Sequence, residues 1–333
     1  MRVLVTGGTG HLGPGVCRKF LSDGFRLRLL VHNSPGEKLG PDVEFLQGDI
    51  TRPESIQRAI QCVDAVVHMA AVVEPVSEEQ PTLAASVNVD GTRILLDAIK
   101  HAERPIPFVF ISSVAVFGPT PEPGACLHAD RSPCRPASVY AESKLRAERV
   151  IAESGIDYAI LRLTATPYSK VSRDAISRQM FMVPLENRIE FCHPDDAALA
   201  ILNSVKRFQT IKGRTLIVGG GSSQQMYYRE MVGAMLKAFG LPLPPAERFS
   251  REPFALDWYN FSRRPWTTTP GTWAASFRHP CPHSCATSSG PSLAERSRAC
   301  SERCWHDPCE IREDFVSVGR ALGPGPTRCL PQF

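Results

Sequence analysis

The chain of 333 residues has no window approaching about 18 unbroken apolar residues, which argues against a membrane span. It has no basic run of five or six, and a net charge of +4 is too small to argue for a nucleic-acid partner. No internal repeat is visible. The opening M-R-V-L-V-T-G-G begins a strand-like run at Met1, leaving no room for a charged leader with a cleavage site. A cytoplasmic location is the resulting expectation. Cysteine itself is plentiful, with 11 in the chain, but framework spacing is missing. Cys17, Cys62, Cys126, Cys134 and Cys192 stand singly, and the other six fall after residue 280.

What is present is a regular alternation. Residues 3–6, 27–31, 43–46, 65–68, 108–112 and 157–163 read as strands, and 14–22, 55–61, 88–101 and 141–154 carry helical periodicity. Strands alternating with helices mean βαβ units and a parallel sheet covered on both faces. The fold class is therefore α/β, with a doubly wound parallel sheet over residues 1–163. Residues 164–263 are less regular, with strands at 189–192 and 216–218 and helices at 194–205 and 228–239. They read as a small C-terminal substrate lobe.

Residues 264–333 are different in kind. They hold nine prolines, six cysteines, no lysine and only nine Leu, Ile, Val or Phe, too few to build a core. Cys281 with Cys285 and Cys300 with Cys304, near His283, His306 and Cys309, raise the question of a zinc site. Their three-residue spacers are loose and carry no turn glycine, so no metal is assigned. The segment reads as an irregular tail, disordered or the product of a frameshift.

T-G-G-T-G-H-L-G, from Thr6, follows a strand and opens a helix. Gly7, Gly10 and Gly13 suit a tight turn, close approach to a pyrophosphate and close helix–strand packing, with His11 and Leu12 inside the turn. This is the arrangement of a Rossmann-type dinucleotide site. The second strand ends L-L-V-H-N, where an acid would bind the adenosine ribose. His32 stands there instead, either as a plain polar loop residue or, with Arg28 or Lys38 nearby, as a contact for a 2′-phosphate. The cofactor expected is NAD(P), with a slight lean to NADP. Asp49, followed by Ile50 at the end of the third strand, either accepts from the adenine amino group or caps the helix near Pro53.

In S-V-Y-A-E-S-K, Tyr140 and Lys144 are four apart and share a helix face. A free phenol has a pKa near about 10. An ammonium and an oxidised nicotinamide ring beside it favour the phenolate, so it can exchange a proton with an alcohol or carbonyl. Lys144 is also placed to hold the nicotinamide ribose. Ser113, at the end of V-F-I-S-S-V, is the hydroxyl chosen for the substrate oxygen, and Ser112 is taken as structural.

These motifs resemble the extended short-chain dehydrogenases/reductases, the NAD-dependent epimerase/dehydratase family. The likeness runs in order through T-G-G-T-G-H-L-G, D-A-V-V-H-M-A-A at Asp64, N-V-D-G-T at Asn88, I-S-S-V-A-V-F-G at Ile111, Y-A-E-S-K at Tyr140 and H-P-D-D-A-A at His193. It covers residues 1 to about 263. It implies Tyr140, Lys144 and Ser113 as catalytic residues, and Met69, Ala70 and Ala71 beside the cofactor. Asn88 would lie on the helix behind the site, where packing and hydrogen bonding alone explain an amide equally well. Pairing through the helices starting near Asn88 and Ala141 would give a homodimer. Nucleotide-sugar relatives tend to carry a longer insertion than the 30 residues between Arg162 and His193. L-R-L-T-A-T-P-Y also replaces the usual turn, and Arg173 and Arg178 read either as anion contacts or, with more weight, as solvated helix positions. A compact pocket for a smaller alcohol or carbonyl is expected. The competing class is a non-catalytic NADP-sensing protein on the same fold.

Overall fold

The computed structural model describes residues 1–33, 39–119, 127–166, 178–221 and 224–251. Its centre is a seven-stranded sheet made of β1 (Arg2–Thr6), β2 (Arg26–Val31), β3 (Val43–Gln47), β4 (Ala65–His68), β5 (Phe108–Ser113), β6 (Tyr158–Leu163) and β8 (Arg214–Val218). All neighbours pair in parallel, in the order β3-β2-β1-β4-β5-β6-β8. The order reverses between β1 and β4. That opens a crevice outside their carboxyl ends, where ligands of such sheets bind.

The two-residue period of the strands divides the core into two layers. Val3 and Val5 face one side, with Val16, Cys17 and Phe20 of α1 (Gly13–Ser22) and Ala197, Ile201 and Leu202 of α7 (Pro194–Lys206). Leu4, Phe108 and Phe110 face the other, against α2 (Pro53–Ala59), α5 (Gly91–Lys100) and α6 (Val139–Glu153). A sheet covered on both faces needs apolar residues at nearly every position, and four of the five β1 residues are buried.

A separate cluster of Met180, Val183, Leu185, Ile189, Phe191, Val232 and Leu236 forms around a two-stranded antiparallel pair. Its strands are β7 (Arg188–Glu190) and β9 (Gln225–Tyr227), backed by α9 (Tyr228–Ala238). The Tyr228 hydroxyl closes it by donating to the Met180 carbonyl at 3.0 Å.

The helix expected at 88–101 starts differently: Ser86–Asp90 is a π-helical turn that runs into α5. Widened turns of this kind are frequent at functional sites. Three short helices, α3 (Val76–Glu79), α4 (Pro81–Ala85) and α8 (Phe208–Ile211), and the strand β9, were not anticipated. Each spans five residues or fewer, too short to show a period. Among the described residues no helix is long and apolar enough to cross a membrane. Cys17, Cys62, Cys134 and Cys192 are free thiols. The tail from residue 264, its cysteine pairs, and the 257–263 segment lie outside the described residues.

Candidate functional site

The glycine turn is built from β1 into α1. Gly7 has φ +73°, and a Cβ there would stand 2.6 Å from the Ala70 backbone nitrogen. A Cβ on Gly13 would stand 2.1 Å from the Gly8 carbonyl oxygen. Both positions are closed to any side chain, one by its neighbour strand end and one by its own turn. Helix α1 then starts with no side-chain cap and no acid in its first turn. Its first N–H groups and the positive end of its dipole suit an anion such as a pyrophosphate. The residues therefore fit a dinucleotide. His11 Nε2 lies 3.2 Å from the Thr166 carbonyl, tying the turn to the end of β6. The Leu12 side chain packs against the core, so only its backbone serves the turn. The Met69 N–H donates to the Thr6 carbonyl at 3.1 Å and the Ala70 N–H to Thr6 Oγ1 at 3.3 Å, with Ala71 following at the crevice.

At the far end of the crevice the arrangement differs from expectation. Arg28 does not point at a 2′-phosphate. Its guanidinium donates to Glu44 at 2.9 Å and to the carbonyls of Arg58, Ala59 and Gln61. A planar five-donor fork is consumed in closing the end of α2. Lys38 lies outside the described residues. His32 remains exposed, its Nε2 3.8 Å from Asp49 Oδ2. Asp49 does not cap α2, whose first turn has no side-chain cap. Instead its Oδ1 accepts from both the Thr51 N–H and hydroxyl at 2.8 Å. Those bonds, the backbone one foremost, hold its carboxyl below the usual range. Ile50 is buried in the core, its side chain against Gly91.

Tyr140, Lys144 and Ser113 come together at the carboxyl end of β5. Ser113 is the last residue of β5, and its hydroxyl accepts from the Ala115 N–H at 3.1 Å. It also acts on the Tyr140 phenol, lowering it. Lys144 is 2% exposed, donates to the Ile111 carbonyl at 2.8 Å, and sits 4.6 Å from the Phe110 ring centroid and 6.0 Å from that of Tyr140. The start of α6 is held twice. Ser138 Oγ caps the Ala141 N–H at 3.2 Å, and Glu78 accepts from the Val139 and Tyr140 N–H groups at 3.1 Å each.

The expected acidification of Tyr140 by Lys144 is not produced by the protein's own groups. Burial raises the phenol well above its ordinary value, the Glu74 carboxylate raises it further, and only the Ser113 hydroxyl lowers it. The physical reason is competition: in a low-dielectric site, removal of water outweighs an ammonium whose nearest bond goes to a carbonyl. Burial acts on Lys144 too, bringing it down to about 8 against an upward pull from Glu148. A lysine lowered in the folded state destabilises the fold below pH about 8, and the penalty fades as pH rises toward its ordinary value. Lys144→Met is therefore expected to raise stability at pH 7 by about 1–3 kcal/mol. The gain should vanish as pH climbs above about 10. Urea unfolding at pH 7 and pH 10 checks both statements.

Two networks around these residues were not seen in the sequence. Asn88 is 2% exposed; its Oδ1 accepts from the Val72 N–H at 2.7 Å, and its Nδ2 donates to the Val72 carbonyl at 2.9 Å and to Ser143 Oγ at 2.8 Å. Ser143 in turn donates to the Tyr140 carbonyl at 2.7 Å. One turn beyond Lys144, Glu148 accepts from Ser112 Oγ at 2.5 Å and from Arg162 at 3.0 and 2.6 Å. Ser112 is thus structural, as expected. A visible signal existed for Glu148, since it continues the Tyr140–Lys144 stripe by one more step of four. Of the two arginines considered as anion contacts, Arg173 lies outside the described residues. Arg178 opens the short 3₁₀ turn Arg178–Met182. Among the described residues no three His, Cys, Asp or Glu side chains could hold a metal ion.

A parallel sheet reversing at β1/β4, with a glycine turn feeding an uncapped helix, defines a dinucleotide-binding α/β protein. Residues 3–219 match the NAD dependent epimerase/dehydratase family, and the chain belongs to it. It is 30% identical over 171 residues to a UDP-glucose 4-epimerase of Lactobacillus helveticus, covering 49% of this chain and 51% of that one. It is 34% identical over 168 residues to a 3 beta-hydroxysteroid dehydrogenase/Delta 5-->4-isomerase of Mycobacterium tuberculosis, covering 47% and 44%. The chain spans about half the length of the curated relatives it matches. The Thermus thermophilus UDP-glucose 4-epimerase, solved in complex with NAD, shares the fold at TM-score 0.64 and 24% identity, covering 78% of this chain and 91% of that one.

Proposed function

We propose that this protein is an oxidoreductase that moves hydride between a nicotinamide cofactor and an alcohol or carbonyl substrate. The observation that carries the reading is the meeting of three side chains at the carboxyl end of β5, on the same sheet edge as the glycine turn: Ser113 ends the strand, the Tyr140 ring lies 6.0 Å from the Lys144 ammonium, and Lys144 donates to the Ile111 carbonyl. Ser113 holds the substrate oxygen, and Tyr140 exchanges its proton. Lys144, held by the Ile111 carbonyl, supports the ribose. The nicotinamide, when bound, supplies the hydride acceptor and, oxidised, a positive charge that offsets the upward shift of the phenol.

NAD is the better fit than NADP. Arg28 is committed elsewhere, and Asp49 puts a carboxylate 3.8 Å from His32, so a 2′-phosphate there would meet negative charge. Residues 164–263 form the substrate side, and α5 with α6 the pairing surface of a homodimer. The relatives that bear on the substrate are named for a UDP-sugar and for a hydroxysteroid. The short Arg162–His193 interval argues for the smaller, less polar kind.

The test is direct. NAD and NADP are titrated into the protein, and absorbance of the reduced nicotinamide is followed with secondary alcohols, ketones, hydroxysteroids and UDP-, GDP- or dTDP-sugars. NAD-linked turnover of an alcohol or ketone without a nucleotide group is expected. Turnover of a nucleotide sugar would overturn the substrate class, and tighter NADP binding the cofactor choice.

A further inference from the structure

Two residues have no part in the chemistry above: His68 in H-M-A-A, and Thr92 in N-V-D-G-T. Both are fully buried, and they touch. His68 Nδ1 lies 2.6 Å from Thr6 Oγ1, and Nε2 lies 2.9 Å from Thr92 Oγ1. Thr92 Oγ1 lies 2.7 Å from the Asn88 carbonyl oxygen.

The direction of every proton in this series is fixed by its carbonyl end and by a neutral imidazole ring. A carbonyl cannot donate, so Thr92 gives its hydrogen to Asn88 and accepts from His68 Nε2–H. Thr6 Oγ1 accepts from the Ala70 N–H, and because a neutral ring with its one proton on Nε2 leaves Nδ1 as an acceptor, Thr6 donates its own hydrogen to His68 Nδ1. Burial among Phe108 and Phe110 lowers His68 to about 3 and keeps the ring neutral, with the Lys144 charge adding to the same effect. A neutral ring has one donor and one acceptor, and both are used. The chain thus reads Ala70 N–H, Thr6 hydroxyl, His68, Thr92 hydroxyl, Asn88 carbonyl.

Its two ends reach the two halves of the site. Thr6 and Ala70 flank the closest approach of the glycine turn, where the Gly7 backbone meets the residues after β4. Asn88 reaches helix α6 through Ser143 to the Tyr140 carbonyl. We propose that His68 is a positioning residue which, locked as the Nε2–H tautomer, holds the cofactor turn and the Tyr140 helix in register through one directed chain of hydrogen bonds. The proposal rests on the reading that the glycine turn binds NAD.

The tests are a ring-nitrogen NMR spectrum of histidine-labelled protein and NAD titration of two variants. The wild type should show His68 protonated on Nε2 alone from pH 5 to 8. Thr92→Val keeps the shape but removes the acceptor, leaving a buried N–H without a partner. NAD affinity is expected to fall about tenfold, with Thr92→Ser restoring it to within about twofold. Urea unfolding is run in parallel. Thr92→Val less stable but with unchanged NAD affinity would make the chain merely structural and overturn the proposal. A proton on Nδ1 in the wild type would overturn it with no variant needed. A wild type that binds no NAD removes the reading beneath the proposal, and the proposal with it. That is a different result from a wild type and Thr92→Val that bind equally well.

Discussion

Replacing Tyr140 with phenylalanine is expected to lower turnover by about 10²–10⁴-fold while NAD affinity stays nearly constant. The argument is geometric before it is electrostatic. Ser113 ends β5 beside the phenol, and the Tyr140 ring lies 6.0 Å from the Lys144 ammonium. Removing one oxygen atom leaves the ring, the helix start held by Ser138 and Glu78, and the glycine turn as they were. Only the proton exchange is lost. Because burial and Glu74 both raise the phenol, the wild type should oxidise alcohols faster as pH rises, whereas carbonyl reduction needs the protonated phenol and should hold through neutral pH. Steady-state rates in both directions, with NAD binding measured separately, make the comparison. A phenylalanine variant with unchanged turnover would exclude Tyr140 as the acid/base. Weakened NAD binding of the same size as the rate loss would assign the phenol to binding instead.

The middle of the sheet was legible because β1, β4, β5 and β6 are buried almost throughout and so appear as short apolar runs. Val3, Leu4 and Val5, or Ala65, Val66 and Val67, leave no other reading. Helices α1, α5 and α6 carry enough turns to show their period. The glycine turn was legible too, since Gly7 and Gly13 sit where a Cβ would collide with backbone. What escaped was long-range and polar. Nothing near Arg28 in the sequence says that its guanidinium closes α2, because Arg58, Ala59 and Gln61 are some 30 positions away. The same holds for Glu78, which reaches the Tyr140 N–H across 62 positions. Charge type and local spacing cannot distinguish a basic residue waiting for a phosphate from one consumed by carbonyls. At Tyr140 the protein's own groups raise the phenol for a related reason: a pair of residues four apart reports proximity, and burial depends on the whole fold.

The largest stability effect is expected away from the reacting groups, at Glu148. It is buried with Arg162, 7% and 6% side-chain exposure, and takes Arg162 at two nitrogens and Ser112 at its hydroxyl. Arg162 also donates to the Ala129 carbonyl at 3.2 Å and lies over the Phe117 ring at 4.8 Å. Glu148→Ala would strand a guanidinium in the interior, at a cost of about 3–5 kcal/mol. Replacing both partners together, Glu148→Leu with Arg162→Met, removes the pair without leaving a charge and should cost far less. The midpoints of urea unfolding distinguish these outcomes, and a single variant within about 1 kcal/mol of the wild type would show that water reaches the pair. The site should respond as well. Glu148 is the charge that pulls Lys144 upward, so without it the ammonium loses its proton at a pH lower than about 8. The pH at which NAD-linked turnover loses its dependence on a charged Lys144 should then fall in Glu148→Gln, which keeps the shape of the side chain and removes its charge.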